Sequence, residues 1–328
     1  MRCIEALEGE RAGLPNLRVI VADGASGDNS VEQLRAFVDE PSRGDWVSLL
    51  QLEVNGGFGW ANNQAILHLS QADSPPQFVH LLNPDAEVYA GAVARLVDYL
   101  SANPRTAAVG SQLMNADGSP AGSAFSFPTV RGEFSRGAST GFLDRLLRVP
   151  PIAVETAVSR EVDWVTGGSA MLRVSALREV GLFDEGFFLY NEEVELMWRF
   201  RTAGWKVAIE PMSRVLHIGG AATGVMNPTG KATLERRLPR YVFRSRTRLF
   251  GLTRGLGIAG AAYGAWIAGH TLSRIRRLLG LAKGAPVERQ FRDHLSAGFP
   301  RAHDAIASVP MLTGIPGRPP AWMERRWL

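Results

Sequence analysis

Short β-branched runs alternate along the chain with stretches whose apolar side chains fall at helical spacing. Residues 1–12 carry Ile4 and Leu7 at helical spacing and predict a helix. Residues 17–22 predict a buried strand, the polar stretch 23–30 a loop, and residues 31–39 a helix. Residues 47–54 predict a second strand, leading through the loop 55–63 into a helix that runs to Leu69. A third strand, residues 78–82, stops at Asn83-Pro84-Asp85-Ala86-Glu87. A helix over about residues 90–102 and a strand over 107–113 follow. Residues 115–151 are rich in Gly, Ser and Pro and predict long irregular loops with at most short helices. Residues 161–174 resume an extended pattern, and residues 194–203 predict a helix stopped by Gly204. Repeated strand, polar loop and helix is the unit of an α/β sheet, where ligands sit beyond the carboxyl ends of the strands. No internal repeat is present.

Composition restricts the setting. Of 328 residues, 45% are apolar and 21% charged, the proportions of an ordinary globular protein. Cys3 is the only cysteine, which excludes an internal disulfide and a cysteine-ligated zinc site and fits a reducing compartment. The first residues are too acidic and too short in apolar length for a signal peptide, so the expected location is the cytoplasm.

Charge divides the chain in two. Between Arg236 and Lys283 there are 11 basic residues and no acid, although the net charge of the whole is only +4. The remaining 25 basic residues face all 32 acidic ones, a net of −7. Two regions of opposite sign suggest two roles. Residues 255–269 are apolar throughout, but reach only about half to three-quarters of the roughly 20 residues that span a bilayer. With arginines on both sides, they predict an interfacial helix on an anionic membrane surface. The alternative is a Gly/Ala-rich helix packed on the main domain. The membrane is favoured, because arginines this dense and without acid partners repel one another. Nucleic acid is not an expected partner, since no aromatic-studded strand platform accompanies the basic stripe.

Three places hold candidate chemistry. Asp85 ends a strand at the ligand-bearing edge of the sheet, where a carboxylate can hold a hard divalent cation bridging two phosphates. By itself Asn83-Pro84-Asp85 is also a common turn. Glu192, Glu193 and Glu195 crowd three carboxylates into four positions beside Phe187, Phe188, Tyr190 and Trp198. Mutual repulsion and partial burial raise carboxyl pKa values, and a carboxylate so poised can deprotonate a sugar hydroxyl. A solvated acidic first turn of a helix is the plainer alternative. His217 follows the extended run Val215-Leu216 and precedes Gly219-Gly220, a loop that can bring imidazole to a metal; a lone His is also often purely structural.

Taken in order, these pieces resemble glycosyltransferase family two, in particular its bacterial rhamnosyltransferase-like members. The resemblance covers about residues 1–220. It implies a GT-A fold, a Rossmann-like mixed α/β sheet flanked by helices over residues 1–235, with a basic helical extension over 236–328. Val21-Ala22-Asp23-Gly24-Ala25-Ser26 resembles the strand whose terminal Asp contacts the donor base or ribose, a role that passes to Asp23. Asn55-Gly56-Gly57-Phe58 through Asn62 is similar to the nucleotide-pocket motif, implicating Asn55, Gly57 and Asn62. Leu82-Asn83-Pro84-Asp85 resembles the family's metal motif, making Asn83 a donor contact and Asp85 a ligand of Mg2+ or Mn2+. His217 falls on the family's metal-site histidine. Asp163-Trp164-Val165-Thr166-Gly167-Gly168 and Gly181-Leu182-Phe183-Asp184-Glu185 look like the acceptor-side signature, implicating Trp164, Gly167, Asp184 and Glu185. The base falls on Glu193, with Glu192 beside it.

The resemblance implies an inverting transfer from a nucleotide-diphosphate sugar, rhamnose being favoured. The implied acceptor is a glycan or lipid-linked hydroxyl in cell-surface polysaccharide synthesis, at the inner face of the plasma membrane. Three departures stand out. Glu193 replaces the usual Asp, and Gly24 the usual Asn. The family's apolar first strand, central in the sheet, is missing ahead of the helix that begins near Arg2, so the expectation is a natural chain that starts further upstream. The alternative is an inactive paralogue that binds a sugar nucleotide or glycan. A nucleotidyltransferase is disfavoured, for no Gly-rich basic loop precedes the first strand.

Overall fold

A computed structural model describes residues 1–140, 157–218, 237–281 and 289–324, with isolated positions between them. The Gly219-Gly220 loop and the boundary expected at residues 235–236 lie outside the described residues.

Helix α1, Arg2–Glu8, precedes β1, Val19–Asp23, α2, Ser30–Val38, β2, Val47–Gln51, and α3, Phe58–Ser70. Strand β3, Phe78–Leu82, is followed by a short β4, Ala86–Val88, α4, Ala92–Ala102, and β5, Thr106–Met114. The irregular region contains β6, Ala124–Phe125, and α5, Val130–Ala138. Then come β7, Arg160–Glu161, β8, Trp164–Val165, β9, Ser169–Arg173, α6, Val174–Val180, α7, Glu192–Thr202, and β10, Lys206–His217. Strand β4, helix α6 and most of β10 had no clear signal in the sequence pattern.

The main sheet runs β3-β9-β5-β10-β4, with β7 added on β10. Strands β5 and β10 are parallel, whereas β3, β9 and β4 run antiparallel to their neighbours. This mixed sheet with helices on both faces is the GT-A arrangement. Every residue of β5 is buried, and the strand contributes to two cores: Ala108 joins Leu172, Phe183 and Phe200, and Val109 joins Trp46, Leu96 and Val215. Among the described residues, strand β1 pairs only with β2, as a separate parallel ribbon, and β3 has a pairing partner on one side only.

Two local devices tie the N-terminal segment to the sheet. Buried Glu10 accepts hydrogen bonds from the amides of Gly91, Val93 and Ala94 at 2.6, 3.0 and 3.4 Å, neutralising the positive end of α4. Cys3 donates its thiol to the Asn83 carbonyl at 3.6 Å, and burial pushes that thiol up to about 11.

The extension forms α8, Arg240–Arg254, α9, Leu256–Leu278, α10, Gln290–Ala297, and a last turn α11, Ala321–Glu324. Four of its arginines have acid partners from outside the acid-free stretch, which offsets the expected self-repulsion. Arg248 meets buried Asp184 at 2.6 Å, Arg244 meets Asp304 at 2.9 Å, Arg246 meets Glu133 at 2.5 Å and Arg237 meets Asp293 at 2.7 Å. Burial would raise the Glu133 carboxyl, but the guanidinium groups of Arg136 and Arg246 hold it at about 2. One face of the Gly/Ala-rich segment packs on α5 rather than lying free. A Cβ at Gly269 would come 2.1 Å from the Phe134 carbonyl oxygen, and one at Gly137 2.4 Å from that of Trp266. No helix among the described residues is long and apolar enough to cross a membrane.

Candidate active site

The imidazole and carboxylate expected to share a cation are brought together by a defect in β10. Register along β5 and β10 shifts between Glu210 and Arg214, where Pro211 offers no amide to the ladder. Beyond the bulge, residues 214–216 pair with β5 again, while Val215–His217 pair with β4 on the other side. That register sets His217 opposite Ala86, one residue from Asp85. His217 Nε2 then lies 3.3 Å from Asp85 Oδ1 and 3.1 Å from the Asn83 side-chain amide. About a fifth of each of the two side chains, His217 and Asp85, remains exposed.

This donor set suits a divalent cation. One carboxylate oxygen and one imidazole nitrogen fit manganese, and two protein ligands leave most of an octahedral shell for phosphate oxygens and water. No group of three or more potential ligands occurs among the described residues.

The acidic pair stands at the start of α7. Tyr190 and Asn191, which lead into it, both have φ of 70°, a costly left-handed conformation for residues with a Cβ. Glu192 is buried and Glu193 half-buried, and one carboxyl oxygen of each is shielded from water with no hydrogen-bond partner among the described residues. Burial pushes Glu193 up to about 7, against the opposing pull of the amides at the helix start. Burial, then the neighbouring Glu193 charge, pushes Glu192 well above the carboxylate range. Close carboxyls titrate as a pair, and burial holds both above the ordinary carboxylate range. Glu195, the third acid, is occupied by Arg199, whose Nε lies 2.8 and 3.0 Å from its two oxygens.

Close contacts link the two clusters. A Cβ at Gly168 would sit 3.7 Å from both the Asn83 amide and the His217 ring, and one at Gly167 would meet the Phe58 ring at 2.9 Å. One helical position beyond Phe58, a Cβ at Gly59 would lie 3.4 Å from Glu192 Cγ. The first turn of α3 therefore stands between the Asp85–His217 pair and the acids.

The remaining implicated residues divide. Asp23 ends β1 and accepts bonds from the Ser26 amide at 3.0 Å and the Ser26 hydroxyl at 2.6 Å. Asn55 Oδ1 accepts from the Gly57 amide at 3.1 Å and lies 3.7 Å from the position of a Gly24 Cβ. The loops that carry Asp23 and Asn55 thus approach each other beyond the ends of β1 and β2. Asn62 donates to the Phe58 carbonyl one turn back at 2.9 Å.

Four of the implicated residues have structural partners of their own. Gly57, with φ of 88°, is required for packing, because a Cβ there would fall 1.7 Å from the Phe188 carbonyl oxygen. Asp184 is fully buried and its oxygens are taken by Arg248, the Gly186 amide and the Ser308 amide, so it cannot touch an acceptor. Glu185 Oε1 accepts from Asn63 at 3.4 Å. Trp164 stacks on Phe125 with ring centroids 4.3 Å apart.

Sequence reasoning missed the residues that brace the acidic loop. Buried Asn63 donates to the Phe183 carbonyl and accepts from the Phe183 amide, both at 2.9 Å. Ser245 donates to the Leu189 carbonyl at 2.7 Å, and Arg246 reaches Asn191 Oδ1 at 3.3 Å. Trp322 donates to the Gly56 carbonyl at 3.1 Å while its ring meets Phe188 edge-on at 5.3 Å. Only the arginines had given a signal, as charge without nearby acids.

The mixed sheet flanked by helices is the fold of GT-A glycosyltransferases. The chain belongs to glycosyl transferase family 2, whose family model matches residues 1–181. It is 32% identical over 220 residues to the N-acetylglucosaminyl-diphospho-decaprenol L-rhamnosyltransferase of Mycobacterium tuberculosis strain H37Rv, a match covering 63% of this chain and 68% of the relative. It is 26% identical over 147 residues to a low-salt glycan biosynthesis hexosyltransferase of Haloferax volcanii, covering 45% of this chain and 44% of that one. Among solved structures, GalNAc-T7 with UDP, GalNAc and Mn2+ superposes at a TM-score of 0.50 and 16% identity over 86% of this chain. The chain spans about half of that protein, 52%. A Pyrobaculum calidifontis mannosyltransferase with GDP-Man and Mn2+ also superposes at 0.50, with 13% identity, over 86% of this chain and 71% of that one. At such identities these two establish the fold alone.

Proposed function

We propose that the protein is an inverting glycosyltransferase that moves rhamnose from a deoxythymidine diphosphate donor to a hydroxyl of a lipid-linked glycan. The observation that carries this reading is the Asp85–His217 pair at 3.3 Å, with the acidic pair across the first turn of α3. Asp85 and His217 would hold Mn2+ or Mg2+, and Asn83 would orient His217 or contact the donor. A divalent cation there supplies positive charge against the diphosphate as it departs. Asp23 and Asn55 flank the nucleotide. Glu193, ionised near neutrality, takes the proton of the acceptor hydroxyl as that oxygen attacks the anomeric carbon from the face opposite the diphosphate. The new glycosidic bond forms as the bond to phosphate breaks, which inverts the configuration without an enzyme nucleophile. Transfer would occur at the cytoplasmic face of the membrane, where a lipid-linked acceptor presents its sugar.

Rhamnose and the lipid-linked acceptor rest on the mycobacterial relative, whose name states both a rhamnosyl transfer and a decaprenol-linked substrate. A panel of nucleotide sugars, offered with manganese or magnesium and a polyprenyl-diphosphate glycan, tests the reading. Transfer from the deoxythymidine donor supports it, whereas transfer from another nucleotide sugar keeps the chemistry and replaces the sugar.

A second reading, an inactive binding paralogue, is favoured by the separation of the β1-β2 ribbon from the main sheet. Nucleotide-sugar binding with no turnover of any donor would select it.

A further inference from the structure

Helix α9 buries one face on α5 and turns the other to solvent. Along that outer face Gly257, Ala261, Gly264, Ala268 and Thr271 are exposed, and no charged side chain occurs from Gly255 to Ser273. The helix ends in a cluster of bare apolar side chains: Ile275 is 48% exposed, Leu278 86%, Leu279 67% and Leu281 68%. Arg274 is exposed among them, with Arg276 and Arg277 half-buried alongside. At the other end Arg254 lies over the Trp198 ring at 4.7 Å, and Leu256 and Ile258 are exposed just beyond. Side chains of this kind are normally hidden in a water-soluble protein, and a contiguous patch marks a partner.

We infer that the outer face of α9, led by Leu278, Leu279 and Leu281, docks on an anionic lipid surface. Charge selects this occupant. The patch is rimmed by arginines, with no acid between Arg236 and Lys283 to repel phosphate headgroups. Leucines projecting between arginines suit the boundary where headgroups meet acyl chains. The helix has 23 residues but is not apolar enough to cross a bilayer, so it lies along the surface. This refines the expectation from sequence. Arg244, Arg246 and Arg248 of α8 are used internally, while Arg274 stands exposed beside the leucines at the end of α9. The inference does not depend on which sugar is transferred or whether transfer occurs.

Vesicle flotation of the full chain at low salt tests it, with phosphatidylcholine vesicles alone or with about a third phosphatidylglycerol. The chain floats with the anionic vesicles and stays behind with the neutral ones. Arg274→Glu lowers the partition at least about fivefold, the equivalent of one arginine at a charged surface. The triple change Leu278→Ser, Leu279→Ser, Leu281→Ser abolishes flotation while circular dichroism and the thermal midpoint stay at wild-type values. Failure of the wild-type chain to float, or equal flotation of both variants, overturns the inference. So does a wild-type dimer in light scattering that the triple change turns to monomer, because the patch would then belong to a second copy.

Discussion

Glu193 is held between two opposing influences. The amides at the start of α7 favour its charge, and burial disfavours it; burial prevails and leaves the group at about 7. As a base it works only when ionised, so kcat should rise with pH through about 7 and level off above. Glu193→Gln should lower kcat about 10²–10⁴-fold and spare donor affinity, as initial rates and calorimetry would show; wild-type turnover would move the base elsewhere. The same shift has a stability consequence. A carboxyl whose folded pKa is raised holds its proton in the folded state while the unfolded chain has lost it. Stability therefore falls as pH rises from about 4.5 to about 7. Glu193→Gln removes that cost, so at pH 8 the variant should be more stable than wild type by on the order of 2 kcal/mol. Below pH 4.5 the two should coincide, which urea unfolding at both pH values would reveal.

At the level of elements, the acidic loop depends on helix α8. The left-handed Tyr190 and Asn191 are held by Ser245 and Arg246, and Arg246 is itself fixed by Glu133. Replacing Arg246 with Met should lower kcat more than it raises the KM for donor, because the nucleotide loop is not what it touches; Lys should restore part of the loss. An equal effect on both parameters would point to a general disturbance instead. Arg248→Met leaves Asp184 buried without its cation, which should cost about 3–5 kcal/mol in thermal or chemical unfolding.

Much of this arrangement could be read in the sequence, because strands β1, β2, β3 and β5 are β-branched or apolar runs bounded by polar loops. Asp85, Glu193 and His217 were legible as residues at such boundaries. Their proximity was not, since it depends on the bulge at Glu210–Arg214 and on pairing with β4, a three-residue strand without a pattern of its own. The use of the arginines was hidden for the same reason. Glu133 and Asp184 lie far from them along the chain, and only folding pairs them.

Across the whole molecule, the extension and the sheet form one assembly. Its helices supply Arg248 to buried Asp184, and its last turn supplies Trp322 to the Gly56 carbonyl. A chain ending at residue 236 should lose cooperative unfolding and fall out of solution rather than survive as a separate transferase. Two clusters acting on one nucleotide sugar remain the central claim, and calorimetry of a nucleoside diphosphate with and without Mn2+ tests it most directly. The account predicts that Mn2+ tightens binding at least about tenfold in wild type and in Glu193→Gln, and leaves binding unchanged in Asp85→Ala. The same Mn2+ effect in Asp85→Ala as in wild type would contradict it.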